Sequence, residues 1–474
     1  MSDSSWVLDE FSGINFGDKR LNNRFYKLAS NFSKNPQAQI NQASEDWFDA
    51  KGSYRFFEND STSTEEILRP HYKKTAQRAS QYPFILALQD TTVFDYSRHQ
   101  KTKGVGNIGG KPSAHYGTQG MVMHTTYALS PDGLPLGLLN QDMWVRSSTK
   151  TKKEKYDNRL LPIEEKETYK WTYSIDQAVK NTEGKIPMIS ICDREADIFD
   201  FFLEVKDLDS HFIVRSNHNR NVGTRGNVIK LLDKINTVEE FEKTFQIKIP
   251  VKSVEKVDKR KKNSYKESLK LRDAKVRIKT CKVTLSSSRK AGQTIKEKIN
   301  LSFIEVSEIN PPEGLHSVCW HILTSLEVSN FEQASLIVNY YSLRWRIENY
   351  FKILKSGCSV EKCRLNTGTK LKKYISIFSV IAWRLHWLTY VSRVSPEEPC
   401  NKVLTEIEWK TLYIKINKMN ITPEKIPSSR EVLIWLARLG GFMARKSDGE
   451  PGMISIWRGW TRLQDMVSIH NLLK

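Results

Sequence analysis

Four polar side chains suited to an active site recur at helical spacing between residues 341 and 355. At about 100° per residue they fall within a stripe of roughly 60° if the run is one helix. They are Tyr341, Arg344, Glu348 and Lys355. Apolar residues occupy the opposite side, so such a helix packs one face on a core and presents a carboxylate and two cations to a substrate. The alternative is an amphipathic surface helix whose Arg–Glu spacing contributes roughly 0.3 kcal/mol.

Two further carboxylates each follow a short apolar run. Asp90 comes after residues 84–88, and Asp193 comes after residues 186–192 and before a predicted helix that reaches Val205. Apolar runs of this length predict buried strands, and open α/β sheets gather their ligands at the carboxyl ends of strands. Either aspartate taken singly has a turn or a cap as its alternative role. The pattern favours an α/β nuclease core.

Together these segments resemble one family. Asp90-Thr-Thr, Asp193-Arg-Glu-Ala-Asp197 and Tyr341-x2-Arg344-x3-Glu348-x6-Lys355 are similar to the signature of DDE transposases of the insertion-sequence four family, typified by the transposase of transposon five. The similarity extends to residues 136–144, 212–216, 320–325 and 436–442, and so covers nearly the whole chain. It implies an α/β fold: a ribonuclease H-like catalytic core with a β-sheet insertion, flanked by helical N-terminal and C-terminal domains.

The resemblance also implies metal-dependent chemistry on DNA. Asp90, Asp193 and Glu348 are the expected catalytic and metal-binding residues. Three carboxylates at one cleft can hold two Mg²⁺ or Mn²⁺ ions, one activating the attacking oxygen and one stabilising the leaving oxygen. Asp90 is expected to bridge the two ions, and sequence leaves open which ion each of the others takes.

DNA contacts are expected from six side chains, namely Tyr341, Arg344, Trp345, Lys355, Trp320 and Arg215. The cations suit phosphates, and the two tryptophans suit a base removed from the duplex, with core packing as the alternative. Trp320 matches the family's tryptophan for a flipped base. The chain departs from some family members two residues after Arg215, where Asn217 replaces a lysine.

The implied reaction resembles cut-and-paste transposition. It runs from nicking at the inverted-repeat end of the element, through a DNA hairpin and its opening, to strand transfer into target DNA. The family works as a homodimer on paired ends. Two alternatives remain open: a ribonuclease H-like nuclease of another lineage, and a catalytically silent DNA-binding regulator of transposition. The intact set of carboxylates argues against the second.

Composition agrees with a nucleic-acid partner. The 474 residues hold 74 Lys and Arg against 54 Asp and Glu, a net charge of +20 and a pI near 9.5. Such a charge favours polyanions, although a membrane surface or RNA would serve equally. Residues 250–290 contain fifteen Lys or Arg and four Asp or Glu, a net +11. The basic run at 259–262 is either a solvated loop or a DNA-facing surface.

Periodicity divides the chain into three predicted domains. Residues 1–65 form a basic helical unit, a candidate reader of the element's end, with a structural cap as the alternative. Residues 66–394 form the catalytic domain, in which alternating residues at about 238–310 predict the β insertion. Residues 395–474 begin at a Pro-rich linker and contain a capping box at Ser428 and Glu431. The resemblance implies that this last domain pairs two protomers.

Several other classes of protein are disfavoured. The chain has no 18-residue apolar run and no cleavable signal, so we expect a soluble protein that is not exported. The family resemblance implies a cytoplasmic, nucleoid-associated bacterial protein. The six cysteines lack the spacing of a zinc site and are expected to be reduced thiols. The G-x-G-x-x-G match at 104–109 has no preceding apolar strand, and Pro112 stands where a phosphate loop needs Ser or Thr. We interpret it as a loop.

Overall fold

The computed structural model describes residues 5–109, 118–146, 161–224, 227–250, 271–287, 297–419 and 423–472. Helices and strands are mixed along the chain. In these ranges no helix is long and apolar enough to cross a membrane. Chain contacts divide the protein into two compact units, one made of Met1–Tyr82, Thr91–Lys155 and Ile347–Lys474, the other of Pro83–Asp90 and Tyr156–Arg346. We call them the first unit and the second unit.

The helices are α1 (Ser5–Glu10), α2 (Lys19–Lys34), α3 (Ile40–Ala43), α4 (Trp47–Glu58), α5 (Thr64–Ala79), α6 (Lys170–Asn181), α7 (Phe199–Asp207), α8 (Leu231–Asn236), α9 (Phe331–Ser342), α10 (Trp345–Lys352), α11 (Gly368–Val394), α12 (Glu406–Asn417), α13 (Ser429–Leu439) and α14 (Met453–Leu472). The strands are β1 (Ile85–Asp95), β2 (Gly106–Asn107), β3 (Gln119–Leu129), β4 (Pro135–Trp144), β5 (Met188–Cys192), β6 (His211–Arg215), β7 (Asn221–Thr224), β8 (Asn227–Lys230), β9 (Phe245–Pro250), β10 (Leu271–Ser286), β11 (Lys298–Glu308) and β12 (Cys319–Thr324). The described residues also include short 3₁₀ and π turns.

The second unit is built on a mixed sheet with the strand order β1-β5-β6-β12-β11-β10-β9. Strands β1, β5 and β6 are parallel, and the remaining pairs are antiparallel. All five residues of β5 are buried, as expected for a parallel strand covered on both faces. On one face, Phe202 of α7 stacks on Phe212 of β6 with ring centroids 4.5 Å apart. The parallel part of this sheet positions the two aspartates.

The first unit gathers the helical N-terminal and C-terminal regions with strands β2 to β4. Strand β3 pairs antiparallel with β4, and ten of its eleven residues are buried. Tyr127 of β3 stacks on Tyr350 of α10 with centroids 4.8 Å apart. This contact holds α10, the helix that carries Glu348, against the strand. The long α11 runs through the core of this unit, with most of its residues buried.

Several predicted elements are confirmed. Phe25, Leu28 and Phe32 are buried along α2, which ends before Pro36. The β insertion consists of β9, β10 and β11, and an antiparallel register joins them. The capping box at Ser428 and Glu431 opens α13. All six cysteines are free thiols. The basic run at 259–262, and the end of the glycine-rich loop from residue 110 on, lie outside the described residues.

Two local predictions are wrong. Residues 341–355 do not form one helix: α9 ends at Ser342, Leu343 and Arg344 form a turn, and residues 353–357 form a π turn. The Arg346 backbone N–H donates to the Leu343 carbonyl at 2.9 Å, a tight three-residue step that shifts the angular phase between Tyr341 and Glu348. Asp90 does not follow its strand, because the β-branched residues after it extend β1 to Asp95.

Candidate active site

Asp90 and Asp193 lie at the same level of two neighbouring parallel strands. The last paired residues of β1 and β5 are Leu88 and Ile191. Each aspartate stands two residues beyond its member of that pair. Because adjacent strands run about 4.8 Å apart and side chains repeat every two residues, this register brings the two carboxylates together. The prediction that each aspartate follows a strand is therefore confirmed for Asp193, which comes directly after β5, and wrong for Asp90, which lies within β1 just beyond its paired part.

Each aspartate keeps some solvent access. The Asp90 side chain is 15% exposed, and its Oδ2 lies 3.3 Å from a guanidinium nitrogen of Arg344. Asp193 caps a short 3₁₀ turn, where its Oδ1 accepts the Glu195 backbone N–H at 2.8 Å. The Cys192 thiol interacts electrostatically with both aspartates. Burial raises the pKa of this thiol well above its usual value, Asp193 and Asp90 add to that rise, and Arg344 opposes it. That both aspartates raise the pKa of the same thiol agrees with the strand register, which sets them at one level.

Positive and aromatic groups of the second unit surround this pair. Arg215 is the last residue of β6 and pairs with Ile322 of β12. Its guanidinium donates to the Cys319 carbonyl at 3.1 Å. Burial lowers the pKa of Arg215, and the hydrogen-bonded Tyr341 hydroxyl opposes that shift. The Arg215 Nε atom is buried and has no hydrogen-bond partner among the residues that the structure describes.

Tyr341 and Trp320 pack edge to face, with ring centroids 5.2 Å apart. Tyr341 is only 5% exposed, whereas Trp320 is partly exposed. Burial raises the pKa of the Tyr341 phenol, and the guanidinium groups of Arg344 and Arg215 lower it. The second unit thus brings together five of the predicted site residues, namely Asp90, Asp193, Tyr341, Arg344 and Arg215, with Trp320 on Tyr341.

The remaining predicted residues lie at the beginning of α10 or in the first unit. Trp345 begins α10 and is half-buried. Glu348 is half-buried on the same helix, next to the buried residues Ile347 and Tyr350. Lys355 lies in the π turn with its Nζ 5.8 Å from the centre of the Phe94 ring. Burial lowers the pKa of Lys355, and the carboxylates of Glu361 and Asp95 oppose this shift.

The carboxylates of Asp90 and Asp193 are ligands that suit a hard divalent cation, and the strand register brings these two together. Carboxylates are the ligands that Mg²⁺ and Mn²⁺ prefer. Asp90 and Asp193 fit that preference in type, level and access. Among the described residues, no group of three or more His, Cys, Asp or Glu side chains is arranged to hold a metal ion. Glu348 joins the pair through its position in the motif.

One feature next to the site was not predicted from the sequence. Asp197 is buried, and its carboxylate accepts the backbone N–H groups of Asn217 at 2.7 Å and His218 at 3.0 Å. Arg220 donates to the same carboxylate at 2.7 and 3.1 Å. These bonds fix residues 216–220, which we call the Asp197-bound loop, immediately after Arg215. The carboxylate was visible in the motif, but no spacing rule links it to an arginine 23 residues away.

Three family models match the chain in order. They are Transposase DNA-binding over residues 3–62, Transposase DDE domain over 190–383 and Transposase Tn5 dimerisation domain over 380–470. A solved structure of a piggyBac transposase synaptic complex with hairpin DNA is also similar, at 9% identity over 93% of this chain and 79% of that chain, with a TM-score of 0.36. A TM-score this low supports no conclusion about fold or function.

The mixed sheet, its helical flanks and the matched DDE domain define a DDE transposase, a DNA-acting class that works with divalent metal ions. The DNA-binding, DDE and dimerisation segments follow one another in a single order. The chain therefore belongs to the Tn5-like family of DDE transposases, as its motifs predicted, and it binds DNA and forms dimers.

Proposed function

We propose that this transposase catalyses cut-and-paste transposition of an insertion sequence, with Asp90, Asp193 and Glu348 as its catalytic carboxylates. The observation that carries the proposal is the register of β1 and β5, which sets Asp90 and Asp193 at one level at the end of the parallel ladder. Ligands of α/β sheets gather at such an edge. Glu348 enters through its place four residues after Arg344 in the family motif.

The protein's own part in the reaction is to hold and orient phosphates. Two Mg²⁺ or Mn²⁺ ions bound by the three carboxylates would supply an activated oxygen nucleophile and a stabilised leaving oxygen. Asp90 is the proposed bridging ligand. Arg344 and Arg215 are the proposed ligands of the phosphates next to the scissile bond, since guanidinium groups match phosphate geometry. Arg344 would exchange its contact with Asp90 for such a phosphate.

Trp320 has the proposed role of receiving a base taken out of the duplex. Its ring is partly exposed while its edge contact with Tyr341 fixes its orientation. Stacking on an aromatic ring stabilises an extruded base by about 1–3 kcal/mol. Such an extruded base accompanies hairpin formation, in which the freed 3′-OH attacks the opposite strand. Trp345 and Lys355 are proposed as further contacts to DNA, and each subunit of the dimer as cutting chiefly the end that the other binds.

Recognition of the inverted repeat is proposed for the exposed face of α4. Trp47 and Phe48 are 70% and 81% exposed, which is unusual for such large apolar side chains. Lys51 and Arg55 are exposed on the same helix at spacings of three or four residues. A face that interleaves aromatic rings with cations suits both the bases and the phosphates of DNA.

A buried ion pair fixes α4 in place. Asp49 of α4 accepts hydrogen bonds from Arg24 of α2 at 2.5 Å and from Asn31 at 3.1 Å. Gly52 makes room for this arrangement, because a Cβ atom there would lie 2.5 Å from the Arg24 guanidinium carbon. With its inner face committed in this way, α4 turns Trp47 and Phe48 outward.

The test is cleavage of a labelled duplex that carries the element's end, with Mg²⁺ or with EDTA, resolved on a denaturing gel. We expect the wild type to give a metal-dependent nick that matures to a hairpin, and Glu348→Ala to bind the duplex without cutting it. A nick without a hairpin would assign the chain to a nuclease-like reaction. Binding without cleavage by the wild type would assign it to a regulator.

A further inference from the structure

A cavity of about 410 Å³ lies within the first unit, between the segment that follows β1, the end of β4 and the beginning of α11. Its walls include the side chains of Lys103, Lys372 and Trp144. None of the residues that line it is acidic. The family motif and the proposed carboxylates do not use this cavity.

Two of the segments that line the cavity are joined through their backbones. The Lys103 N–H donates to the Asn366 carbonyl at 2.9 Å, and the Gly368 N–H donates to the Lys103 carbonyl at 2.8 Å. Gly104 and Gly368 approach so closely that a Cβ atom on Gly368 would lie 2.1 Å from the Gly104 oxygen. The close approach therefore requires glycine at 368, and Gly104 has a φ of +70°, which favours glycine. The two segments run parallel here, with a bridge between Lys103 and Thr367. Backbone hydrogen bonds thus hold together two of the segments that line the cavity.

The two lysines at the rim are distinguished from their neighbours by their partners. Lys370 binds the Glu58 carboxylate, and Lys373 donates to the carbonyls of Phe57 and Asn59. Lys103 and Lys372 have no carboxylate partner among the described residues. Their positive charges are therefore not neutralised by a described carboxylate, a setting that suits an anion.

Trp144, the last residue of β4, adds an aromatic wall. It pairs with Val122 across the ladder, is half-buried and lines the cavity. A flat ring beside two cations fits a ligand that joins a phosphate to a sugar or a base. An inorganic anion alone would not need the ring.

We propose that this cavity binds the backbone of the substrate DNA, with Lys103 and Lys372 on its phosphates and Trp144 against a sugar or base. The inference rests on the proposed action on DNA and adds a contact site outside the carboxylate motif. The site reads no sequence, because its groups are cations and a ring rather than a patterned set of donors and acceptors. It therefore strengthens binding of every duplex that reaches it.

The test is the salt dependence of binding, measured by fluorescence anisotropy with a labelled end duplex and with a random duplex of equal length. The test variant is Lys103→Gln/Lys372→Gln, and its matched control is Lys101→Gln/Lys362→Gln, which removes two exposed lysines outside the cavity lining. Each phosphate contact contributes about 0.9 to the slope of log K against log salt. We expect the test variant to lose about 1.8 in slope on both duplexes, and the control to lose much less.

Trp144→Ala separates the ring from the charges. We expect it to weaken binding by about fivefold or more, within the range of a lost stacking contact, while the salt slope stays that of the wild type. Thermal melting of each variant checks that the fold is retained. An unchanged slope in the double-lysine variant would overturn the inference.

Competition distinguishes the source of the phosphate. Inorganic phosphate and a nucleoside monophosphate, each at millimolar concentration, should raise the melting temperature of the wild type much less than the duplex does. If they match the duplex and the double-lysine variant abolishes their effect without changing the DNA slope, the cavity is a small-anion site and the inference is wrong. Failure of the wild type to bind any duplex would instead contradict the proposed function.

Discussion

Asp193 and Asp197 stand four residues apart in one motif and have opposite surroundings. Asp197 is buried and accepts bonds from two backbone N–H groups and from both donating nitrogens of Arg220. Asp193 is half-buried and accepts the Glu195 N–H at its strand end. A carboxylate whose oxygens are saturated by fixed donors holds structure together. One that keeps solvent access at the end of a parallel ladder can bind a ligand.

The first unit contains a second buried carboxylate whose oxygens are saturated by fixed donors. Glu10 of α1 is buried and accepts two bonds from Arg78 at 2.8 and 2.9 Å and one from His71. The Leu138 backbone N–H donates to the other ring nitrogen of His71, so His71 is neutral and carries its proton toward Glu10. Arg78 also lies over the Trp383 ring at 4.2 Å. The cluster ties α1, α5, β4 and α11 together.

The largest expected difference separates the two aspartates of the motif in activity. We predict that Asp193→Asn lowers the cleavage rate by about a thousandfold or more, as removal of one member of a catalytic set does. Stability and end binding should change little, because the amide keeps the shape. The measurement is single-turnover cleavage of the end duplex, together with urea unfolding.

Glu195→Gln is the matched control, since Glu195 lies in the same motif, is exposed, and pairs with Lys170 at 3.0 Å. It should cut at close to the wild-type rate. Equal losses for the two variants would mean that the motif acts through its fold alone, and the distinction between accessible and saturated carboxylates would collapse.

Asp197→Asn should give the reverse pattern. Removing one partner of a buried ion pair leaves the other uncompensated, so we expect the free energy of unfolding to fall by about 4 kcal/mol. Cleavage should fall by about tenfold to a hundredfold, because the freed loop no longer fixes Arg215. Urea unfolding monitored alongside cleavage checks both. An Asp197→Asn enzyme that is as stable as wild type but inactive would identify Asp197 as a catalytic group instead.

The sequence could predict the strands that carry or precede Asp90 and Asp193, the helical flanks and the β insertion. These follow from periodicity and from local signals such as the Ser428 capping box. It could not predict the turn at Leu343, because a tight three-residue step leaves the apolar spacing nearly intact. It also could not predict the bond between Asp197 and Arg220, since pairing across 23 residues depends on where β6 ends and not on local pattern.

The saturated cluster of the first unit should appear in the pH dependence of stability. Burial raises the pKa of Glu10, but His71 and Arg78 outweigh it and lower the value from 4.5 to about 2. A lowered folded-state pKa stabilises the protein above pH 4.5, and this stabilisation is lost as the pH falls toward 2. The shift corresponds to about 3 kcal/mol.

Burial also lowers the pKa of His71, with Glu10 opposing that shift. The unfolded chain therefore takes up this proton first, and stability declines further as the pH falls below the ordinary histidine value of about 6.5. Urea unfolding at a series of pH values measures both effects. Glu10→Gln should flatten the dependence below pH 4.5. A variant that keeps the wild-type slope there would show that other carboxylates cause it.

The smallest expected effect is that of substituting Tyr341, which is buried but contacts side chains of the candidate site. Its ring packs on Trp320 and its hydroxyl bonds with Arg215, so Tyr341→Phe removes one hydrogen bond and keeps the packing. We expect about 1 kcal/mol in unfolding and a severalfold loss in hairpin formation, with nicking nearly unchanged. Tyr341→Leu, which also removes the aromatic edge beneath Trp320, should reduce hairpin formation further. If both variants slow nicking and hairpin formation equally, Tyr341 orients the phosphates through Arg215 and the Trp320 contact is only packing.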